Sequence, residues 1–439
     1  MATGKQRQRE RQQRMNNAIG VYARFTRIVP KGLRHRVRDW LIRVTTPQEA
    51  SYRLPLPREG RRIRKGINLY GFFREETGLG QGVRMYARGI EAAGIRHCFL
   101  HTDFLEWLGK DEHSFDRKLT RRARYGVNVV HINPDQWILA CEGFPNRCFD
   151  RRYNIGVWLW ELPRMPESWK ETLAYVDELW VPSEFIARAI RAETDKPVTV
   201  IRYGVETPVS GDKRADFGLP EDKLLVLAMF DSHSYASRKN PLAAVEAFTE
   251  AFGGTDGAEL VLKVNHPHEE DVAKVEAKLR EAKVRYTLIT ERMPKEKLNA
   301  LIACCDIFLS LHRSEGFGFP VAEAMALGTV AVATNWSSTA EFMSKETTCP
   351  VGYKLIPVGE NEYPNWEGQE WADPDVHEAA AYLKELAADP EKRQRIAEAA
   401  KAYMRKELSP AACGQRMKER LEEIIHNSVI AVTKIPKGF

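Results

Sequence analysis

Hydrophobic positions along the chain follow two alternating patterns. Short continuous apolar runs, typical of strands buried on both faces, are followed by longer segments whose apolar residues recur every three or four positions, as in amphipathic helices. This alternation predicts parallel sheets with helices on both faces, which is an α/β fold. In the first half of the chain the predicted strands are 67–72, 97–100, 127–132, 153–159, 178–181 and 198–201, and the predicted helices are 81–93, 134–141, 166–176 and 184–193.

The second half repeats the scheme, so we predict two doubly wound, Rossmann-like domains that face each other across a cleft. Glycine, proline and aspartate cluster in 204–222, where we place the boundary. The second-half strands are predicted at 224–230, 259–264, 285–289, 306–310 and 330–333, and the helices at 241–252, 270–282, 295–303, 319–327 and 338–343, with a further helical block at 375–427. The chain is thereby divided into an extension (1–65), an N-terminal domain (66–210), a C-terminal domain (211–405) and a crossover helix with tail (406–439).

Length and composition fit a folded enzyme better than a disordered or membrane-spanning protein. The 439 residues suffice for two separate cores, and 43% hydrophobic residues with ten tryptophans argue against disorder. No run of about 18 apolar residues occurs, and no apolar stretch of the signal-peptide type follows the first residues. Because the seven cysteines show neither metal-ligand nor disulfide spacing, we expect a reduced cytoplasmic protein.

Positive charge is concentrated in the N-terminal extension. Residues 1–65 contain 18 Lys or Arg against 4 Asp or Glu, whereas the remainder contains 48 against 56. Two apolar segments with helical spacing, separated by Pro30 and Gly32, lie among these cations. The pattern predicts an amphipathic anchor on an anionic membrane surface, and the alternative is an extension that packs on the protein or binds nothing. No motif supports binding to nucleic acid.

The most informative chemistry lies in 310–339, where Glu315 and Glu323 flank a glycine-spaced loop that opens into a helix. Glycines let the backbone approach a ligand, Pro320 suits the first helical turn, and the free N–H groups of that turn attract an anion. Both glutamates can accept hydrogen bonds from the hydroxyls of one ligand whose phosphate lies between them. The segment therefore predicts a nucleotide-sugar site. The alternative is an ordinary strand-to-helix turn.

This segment resembles the signature of the retaining glycosyltransferases of family four, two glutamates with seven residues between them on the GT-B architecture. In that family the first glutamate contacts the donor sugar, the glycine-rich backbone contacts sugar and phosphate, and the second glutamate binds the ribose. The resemblance assigns these roles to Glu315, to residues 316–319 (the donor loop) and to Glu323. The donor-binding residues it implies are Gly316, Phe317, Gly318, Phe319, Pro320, Val321 and Glu323.

A second glycine-rich stretch follows the first predicted strand. Gly78, Gly80 and Gly82 precede a helix, and the backbone of such a loop can point its N–H groups at a diphosphate. The resemblance gives Gly80 this role. Spaced glycines are also ordinary turn residues, and that alternative stays open.

The corresponding loop of the second domain carries Arg238 and Lys239 just before Pro241, which suits a helix start. Two cations there should attract a diphosphate leaving group, although both could be solvated surface charges. Family four usually carries an arginine a few positions before the lysine. Here that position holds Ser234 or His233, so whether Arg238 replaces it stays open.

Candidate acceptor residues end two strands of the first domain. His131 closes one buried strand, and Trp160 with Glu161 follows another. Tryptophan faces stack on sugar rings and a glutamate accepts hydroxyl hydrogen bonds, so the resemblance implies acceptor roles for Glu161 and Trp160 and a catalytic role for His131. The alternative is that the tryptophans and His131 belong to the core.

Two further clusters invite a metal interpretation, and both have a simpler one. The run 266–271 (HPHEED) places acidic residues at the start of a helix, where the macrodipole favours them. Asp373, Pro374 and Asp375 form an Asp-x-Asp triplet that fits a helix cap better than a metal site. No metal site is therefore predicted.

The function implied by the resemblance is transfer of a hexose from a nucleoside diphosphate sugar to a hydroxyl of a lipid-linked or polysaccharide acceptor, with retention and without metal. Catalysis is assigned to Glu315, Lys239, Arg238 and His131. Because the chain resembles bacterial polysaccharide mannosyltransferases, GDP-mannose is favoured as donor, with no further cofactor, and we expect a cytoplasmic enzyme at the inner face of the plasma membrane. The alternatives are a nucleotide-sugar epimerase and a non-catalytic membrane-associated scaffold.

Overall fold

A computed structural model describes residues 53–56, 63–103 and 109–433. Almost all of the predicted extension (1–65), and with it the predicted membrane anchor, lies outside the described residues. Within the described part of the chain, no helix is both long enough and apolar enough to cross a bilayer.

The N-terminal domain is built on a six-stranded parallel sheet in the order β2-β1-β3-β4-β5-β6. In this sheet Gly71, at the end of β1, pairs with His101 on one side and His131 on the other, so three strands end in line. The elements are β1 (Ile67–Gly71), α1 (Gly78–Ala92), β2 (His97–His101), β3 (Val127–His131), α2 (Pro134–Glu142), β4 (Tyr153–Val157), β5 (Glu178–Val181), α3 (Glu184–Arg191) and β6 (Val198–Val200).

The C-terminal domain repeats this architecture with the strand order β12-β11-β10-β7-β8-β9 and adds an antiparallel hairpin, β13-β14. Its strands are β7 (Leu224–Asp231), β8 (Ala258–Asn265), β9 (Tyr286–Ile289), β10 (Ile307–Ser310), β11 (Val330–Thr334), β12 (Cys349–Val351), β13 (Tyr353–Pro357) and β14 (Glu370–Pro374). Its helices are α4 (Ala236–Lys239), α5 (Pro241–Phe252), α6 (Glu269–Ala282), α7 (Lys295–Cys304), α8 (Phe319–Leu327), α9 (Val376–Ala388) and α10 (Pro390–Glu407). The predicted fold class, two doubly wound α/β domains, is confirmed.

Some of the predicted elements differ from those in the structure, and these are mainly short strands and 3-10 helices. The segment predicted as helix 166–176 is a 3-10 helix, Glu167–Tyr175, and the one predicted at 338–343 is a single 3-10 turn, Thr339–Glu341. Strand β12 was not predicted, because it has only three residues and one is Pro350, which suits an edge strand. The hairpin β13-β14 was also not predicted, since β13 is mostly exposed and lacks a buried apolar run.

The last helix, α11 (Pro410–Thr433), packs on α1 of the N-terminal domain at a close glycine contact. A Cβ on Gly414 would stand 2.0 Å from the carbonyl oxygen of Gly89, so only glycine lets the two helices approach this far. On the same helix Arg420 forms a bidentate pair with the fully buried Glu178 of β5, with both N–O distances at 2.8 Å. Helix α11 thus ties the end of the chain to the N-terminal sheet.

Candidate active site

The donor loop (316–319) follows β10 and turns into α8 through a left-handed glycine. Gly318 has φ +89°, and a Cβ there would lie 2.2 Å from Thr339 Cγ2, so no other residue fits. Pro320 occupies the first turn of α8, and intrahelical bonding begins where Ala322 N donates to Gly318 O at 3.1 Å. The amides of this first turn, Val321 among them, are those that a helix offers to an anion.

Glu315 stands at the start of this loop and is held by two cations. Its carboxylate pairs with Lys239 Nζ at short range and with Arg238 NH1 at 3.2 Å, while its own amide donates to Ser337 Oγ at 2.9 Å. Glu315 is 8% exposed and Arg238 is 5% exposed, so the cluster is almost closed to solvent. The structure therefore brings together three of the four predicted catalytic residues.

The two cations are delivered by the short helix α4 after β7. Asn240, with φ +52°, ends this helix in a left-handed turn and starts α5. The guanidinium of Arg238 also donates to Ser314 O at 2.8 Å, and its carbonyl accepts from Arg313 N at 2.8 Å. Arg238 is consequently bonded to the strand end that carries Glu315, and it is a buried part of the site and not a solvated surface charge.

The charges of this cluster hold one another in the ionised state. Burial alone raises the pKa of Glu315, but Lys239 and Arg238 outweigh it and lower that pKa to about 2. Burial lowers the pKa of Lys239, and Glu315 partly restores it. Burial also acts to lower the pKa of Arg238, but Glu315, Tyr363 and Glu161 together outweigh it, so that pKa is raised. A net positive group thus faces the donor loop, where it can balance the charge of a departing diphosphate.

Glu323 lies one turn into α8 and is 2% exposed. Its carboxylate pairs with Lys295 Nζ at 2.6 Å and accepts a hydrogen bond from Gln81 Nε2, which belongs to α1 of the opposite domain. The residue predicted to hold a ribose is therefore bonded across the cleft to Gln81.

Gly80 does not lie in a loop, because α1 already begins at Gly78. Thr77 caps the helix, and its Oγ1 accepts from Gly80 N at 3.1 Å. A Cβ on Gly80 would stand 2.0 Å from Glu75 O, so the glycine is required by packing. The helix was predicted to start at residue 81, three residues later than it does in the structure. Glycines are poor helix formers, so their presence suggested a loop, whereas the cap at Thr77 sets the actual start of the helix.

His131 is fully buried at the end of β3. Its Nε2 is hydrogen-bonded to Tyr203 Oη at 2.7 Å, and a Cβ on Gly82 would stand 2.8 Å from the same nitrogen. Burial lowers the pKa of His131 to about 3, so the ring is neutral at neutral pH. Tyr203 packs against Phe317 and Phe319 of the donor loop, with centroids 5.1 Å away in both cases, and thereby links His131 to the opposite domain.

Glu161 and Trp160 occupy different surroundings although they are neighbours in sequence. Glu161 faces the donor loop: its Oε2 accepts from Tyr363 Oη at 2.8 Å, and a Cβ on Gly316 would lie 3.4 Å from its Oε1. Trp160 is 5% exposed, packs edge-on to Trp169 with centroids 5.2 Å apart, and donates Nε1 to Arg164 O at 2.7 Å. This packing agrees with the core alternative for the tryptophan.

Several residues of the site were not identified in the sequence. Each of them contacts a residue far away in the sequence, so no local sequence motif indicates its role. Tyr203 alone had a positional signal, because it follows the last strand of the N-terminal sheet. The residues are Gln81, Tyr203, Lys295, Ser337 and Tyr363.

The two sequence clusters considered for metals have other partners. Asp375 caps α9 by accepting from Glu378 N at 3.0 Å, as predicted, and Asp373 pairs with Arg313 at 3.4 Å. His266 is hydrogen-bonded to Asp231 at 3.0 Å.

Comparison with known proteins gives a family match over part of the chain and a fold for both domains. Residues 211–354 match the family described as "Glycosyl transferases group 1". No curated protein sequence matches the chain.

Solved structures of similar fold extend the comparison to both domains. HepE from Anabaena, in complex with UDP and glucose, has 13% identity and a TM-score of 0.59, covering 82% of this chain and 100% of that one. Sucrose-phosphate synthase from Thermosynechococcus elongatus has 16% identity and a TM-score of 0.60 over 83% and 100% of the two chains. A glycosyltransferase from Rickettsia africae has 14% identity and a TM-score of 0.61 over 83% and 99%.

These identities are low, so the structural likeness speaks for the fold, and the activity class comes from the match over the C-terminal domain. Residues 211–354 thus match the group 1 glycosyltransferases, and the two facing α/β domains have the GT-B fold.

Proposed function

We propose that the protein transfers a hexose from a nucleoside diphosphate sugar to an acceptor hydroxyl with retention of anomeric configuration, and that the transfer itself needs no metal. The observation that carries this proposal is the buried cluster of Glu315, Lys239 and Arg238 at the head of the donor loop. A carboxylate can accept hydrogen bonds from sugar hydroxyls, and the adjacent cations can balance the negative charge of a diphosphate. This combination suits a nucleotide sugar better than a nucleotide without a sugar.

The donor is proposed to span from Glu315 to Glu323. The hexose hydroxyls bond Glu315 and the donor-loop backbone, the diphosphate lies between Lys239 and the first turn of α8, and the ribose takes the place of Gln81 on Glu323. Lys295, which pairs with Glu323 at 2.6 Å, orients that carboxylate for the ribose hydroxyls.

The acceptor is proposed to approach from the side of Glu161 and His131. The bond from the sugar C1 to the phosphate oxygen breaks while a bond from C1 to the acceptor oxygen forms on the same face. The acceptor proton passes to the departing phosphate oxygen. Neutral His131 can orient a sugar hydroxyl, and the leaving charge is balanced by Lys239 and Arg238.

The identity of the base and sugar is tested by binding and turnover. The Anabaena structure binds UDP and glucose, which supports UDP-glucose beside the GDP-mannose favoured by the sequence resemblance. Thermal shifts with UDP, GDP and ADP select the base, because a ligand of the native state raises its melting temperature. Turnover with UDP-glucose and GDP-mannose, followed by NMR of the anomeric proton, then reports configuration. The proposal fails if no nucleotide binds, or if the product is inverted.

A lipid-linked acceptor is proposed to reach the site while the N-terminal extension rests on an anionic membrane. The test is sedimentation with vesicles of anionic and of neutral lipid. Removal of residues 1–50 leaves the ion pair of Arg53 with Asp150 (2.8 Å) and should release the protein from anionic vesicles while donor binding stays unchanged. Equal sedimentation of the shortened chain would contradict the anchor.

A further inference from the structure

A second polar cluster lies at the carboxyl edge of the N-terminal sheet, apart from Glu315 and Lys239. It consists of Glu75, in the loop after β1, with His101, Thr102 and Asp103 at the end of β2. The ligand atoms of Glu75, His101 and Asp103 all lie within 4.8 Å of one another. The alignment of Gly71 with His101 in the sheet places the two strand ends side by side.

Glu75 and Thr102 are buried and His101 is largely buried, and the side chains of these three residues have no hydrogen-bond partner among the described residues. Glu75 is 0% exposed, and neither of its carboxylate oxygens is bonded. Both ring nitrogens of His101 and the hydroxyl of Thr102 are likewise unbonded, and the closest approach of His101 to Glu75 is 3.9 Å, which is too long for a hydrogen bond. A buried carboxylate without partners is costly, so these groups point to a ligand that the chain itself does not supply.

We propose that Glu75, His101 and Asp103 bind one divalent transition-metal ion, Zn²⁺ or Mn²⁺. Ligand atoms at ~2.1 Å from one ion are at most ~4.2 Å apart, and the 3.9 Å between Glu75 and His101 lies inside that limit. One imidazole with two carboxylates favours these ions over Mg²⁺, which prefers oxygen ligands and water. Asp103, now paired with Lys110, exchanges that partner for the ion.

The role proposed for the ion is structural. The ion ties the end of β2 to the loop before α1, whose next residue, Glu76, forms an ion pair with Arg292 of the C-terminal domain. The carbonyl oxygen of Glu75 packs closely against Gly80, at the place a Cβ would occupy. An ion that holds Glu75 in place would therefore also stabilise the first turn of α1. This inference stands whether or not the proposed donor is correct.

The chain contains a natural control for the experiment. Asp231, His233 and His266 also lie within 4.8 Å of one another, but they are more exposed, and His266 and Asp231 already bond each other at 3.0 Å. His266 and Asp231 are bonded to each other without an ion, so His266→Gln should leave metal binding unchanged.

The test uses the full chain, stripped with EDTA and dialysed, then titrated with MnCl₂, ZnCl₂ and MgCl₂ in a calorimeter. We expect one site for Mn²⁺ or Zn²⁺, weaker binding of Mg²⁺, and a higher melting temperature with the ion. Glu75→Gln should weaken binding at least ~tenfold, since loss of a direct ligand costs no less than loss of a supporting one. Asp103→Asn is a second variant. Because the Asp103 side chain is exposed, this substitution should not impair folding, and it should also weaken binding of the metal ion.

Three results would overturn the site: no Mn²⁺ or Zn²⁺ binding by the wild-type chain, equal affinity in Asp103→Asn and wild type, or loss of binding in His266→Gln. Nucleotide binding is measured on the same stripped samples. Because metal binding and nucleotide binding are measured separately, a negative result for one site does not affect the test of the other.

Discussion

The side-chain amide of Gln81 donates to the carboxylate of Glu323 across the cleft, joining α1 of one domain to α8 of the other over 242 positions of sequence. Lys295 holds the second carboxylate oxygen at 2.6 Å. A ribose that binds Glu323 must therefore replace Gln81 while Lys295 can stay. The contact with Gln81 and the proposed contact with the nucleotide use the same carboxylate oxygen of Glu323.

Glu323→Ala should weaken nucleotide binding about 10- to 100-fold, because hydrogen bonds to a charged group contribute ~1.5–3 kcal/mol. Gln81→Ala is the matched control: it removes the competing partner and should leave the dissociation constant equal or lower. Calorimetric titration with the nucleoside diphosphate measures both. Weaker binding in Gln81→Ala than in Glu323→Ala would show that the nucleotide does not use Glu323.

Lys239→Ala should lower kcat by about 10²–10³, the range found when one preorganised group that stabilises developing charge is removed. Arg238 still pairs with Glu315 at 3.2 Å in this variant, so the carboxylate is not left without a cation. Lys274→Ala removes an exposed lysine paired with Glu270 at 3.3 Å and serves as control. Steady-state kinetics with saturating donor gives the comparison; an unchanged kcat in Lys239→Ala would remove the lysine from the proposed mechanism.

Local pattern predicted strands β1 to β11 and the turn of the donor loop into α8, because their signals are contained in short segments. The apolar run before Glu315 is β10, Gly318 takes the one backbone conformation that needs a glycine, and Pro320 starts α8 as its ring geometry favours. At these positions one stretch of chain decides the structure.

The remaining features depend on contacts between distant segments. Tyr203 acquires its role only when Phe317 and Phe319 fold against it from the other domain. Trp160 is a second example. In the sequence, a tryptophan after a strand could stack on a sugar or belong to the core, and only the contact with Trp169 in the folded protein distinguishes the two. Tertiary packing, not residue type, makes that distinction.

His131→Gln should flatten the pH dependence of stability on the acid side. The folded pKa of His131 is about 3, against an ordinary value of 6.5, so between these values the unfolded chain binds a proton that the folded chain does not. Stability therefore falls as pH drops from 6.5 towards 3, by up to about 1.4 kcal/mol per pH unit for this one group. His312, with a pKa lowered to about 4 by burial, keeps part of the slope in the variant.

Urea unfolding at pH 7, 6 and 5 checks this prediction. His377→Gln alters a histidine that is 86% exposed and should reproduce the wild-type slope. If His131→Gln also reproduces it, His131 titrates in the folded protein near its ordinary pKa and is not buried as described.

Gly414→Ala should destabilise the protein by about 1–3 kcal/mol, the usual cost of forcing an added methyl group into a packed contact. The new Cβ would meet the Gly89 carbonyl oxygen at 2.0 Å, and because that atom is backbone, α1 and α11 must separate to admit it. Gly257→Ala is the matched control, since nothing lies within 4 Å of its Cβ position and its φ is not in the left-handed range. Separation of α11 also strains the pair of Arg420 with Glu178, so the loss should reach the N-terminal sheet. Hydrogen exchange of β5 amides in Gly414→Ala should therefore quicken relative to Gly257→Ala, and equal protection would mean that the glycine contact does not hold the crossover helix in place.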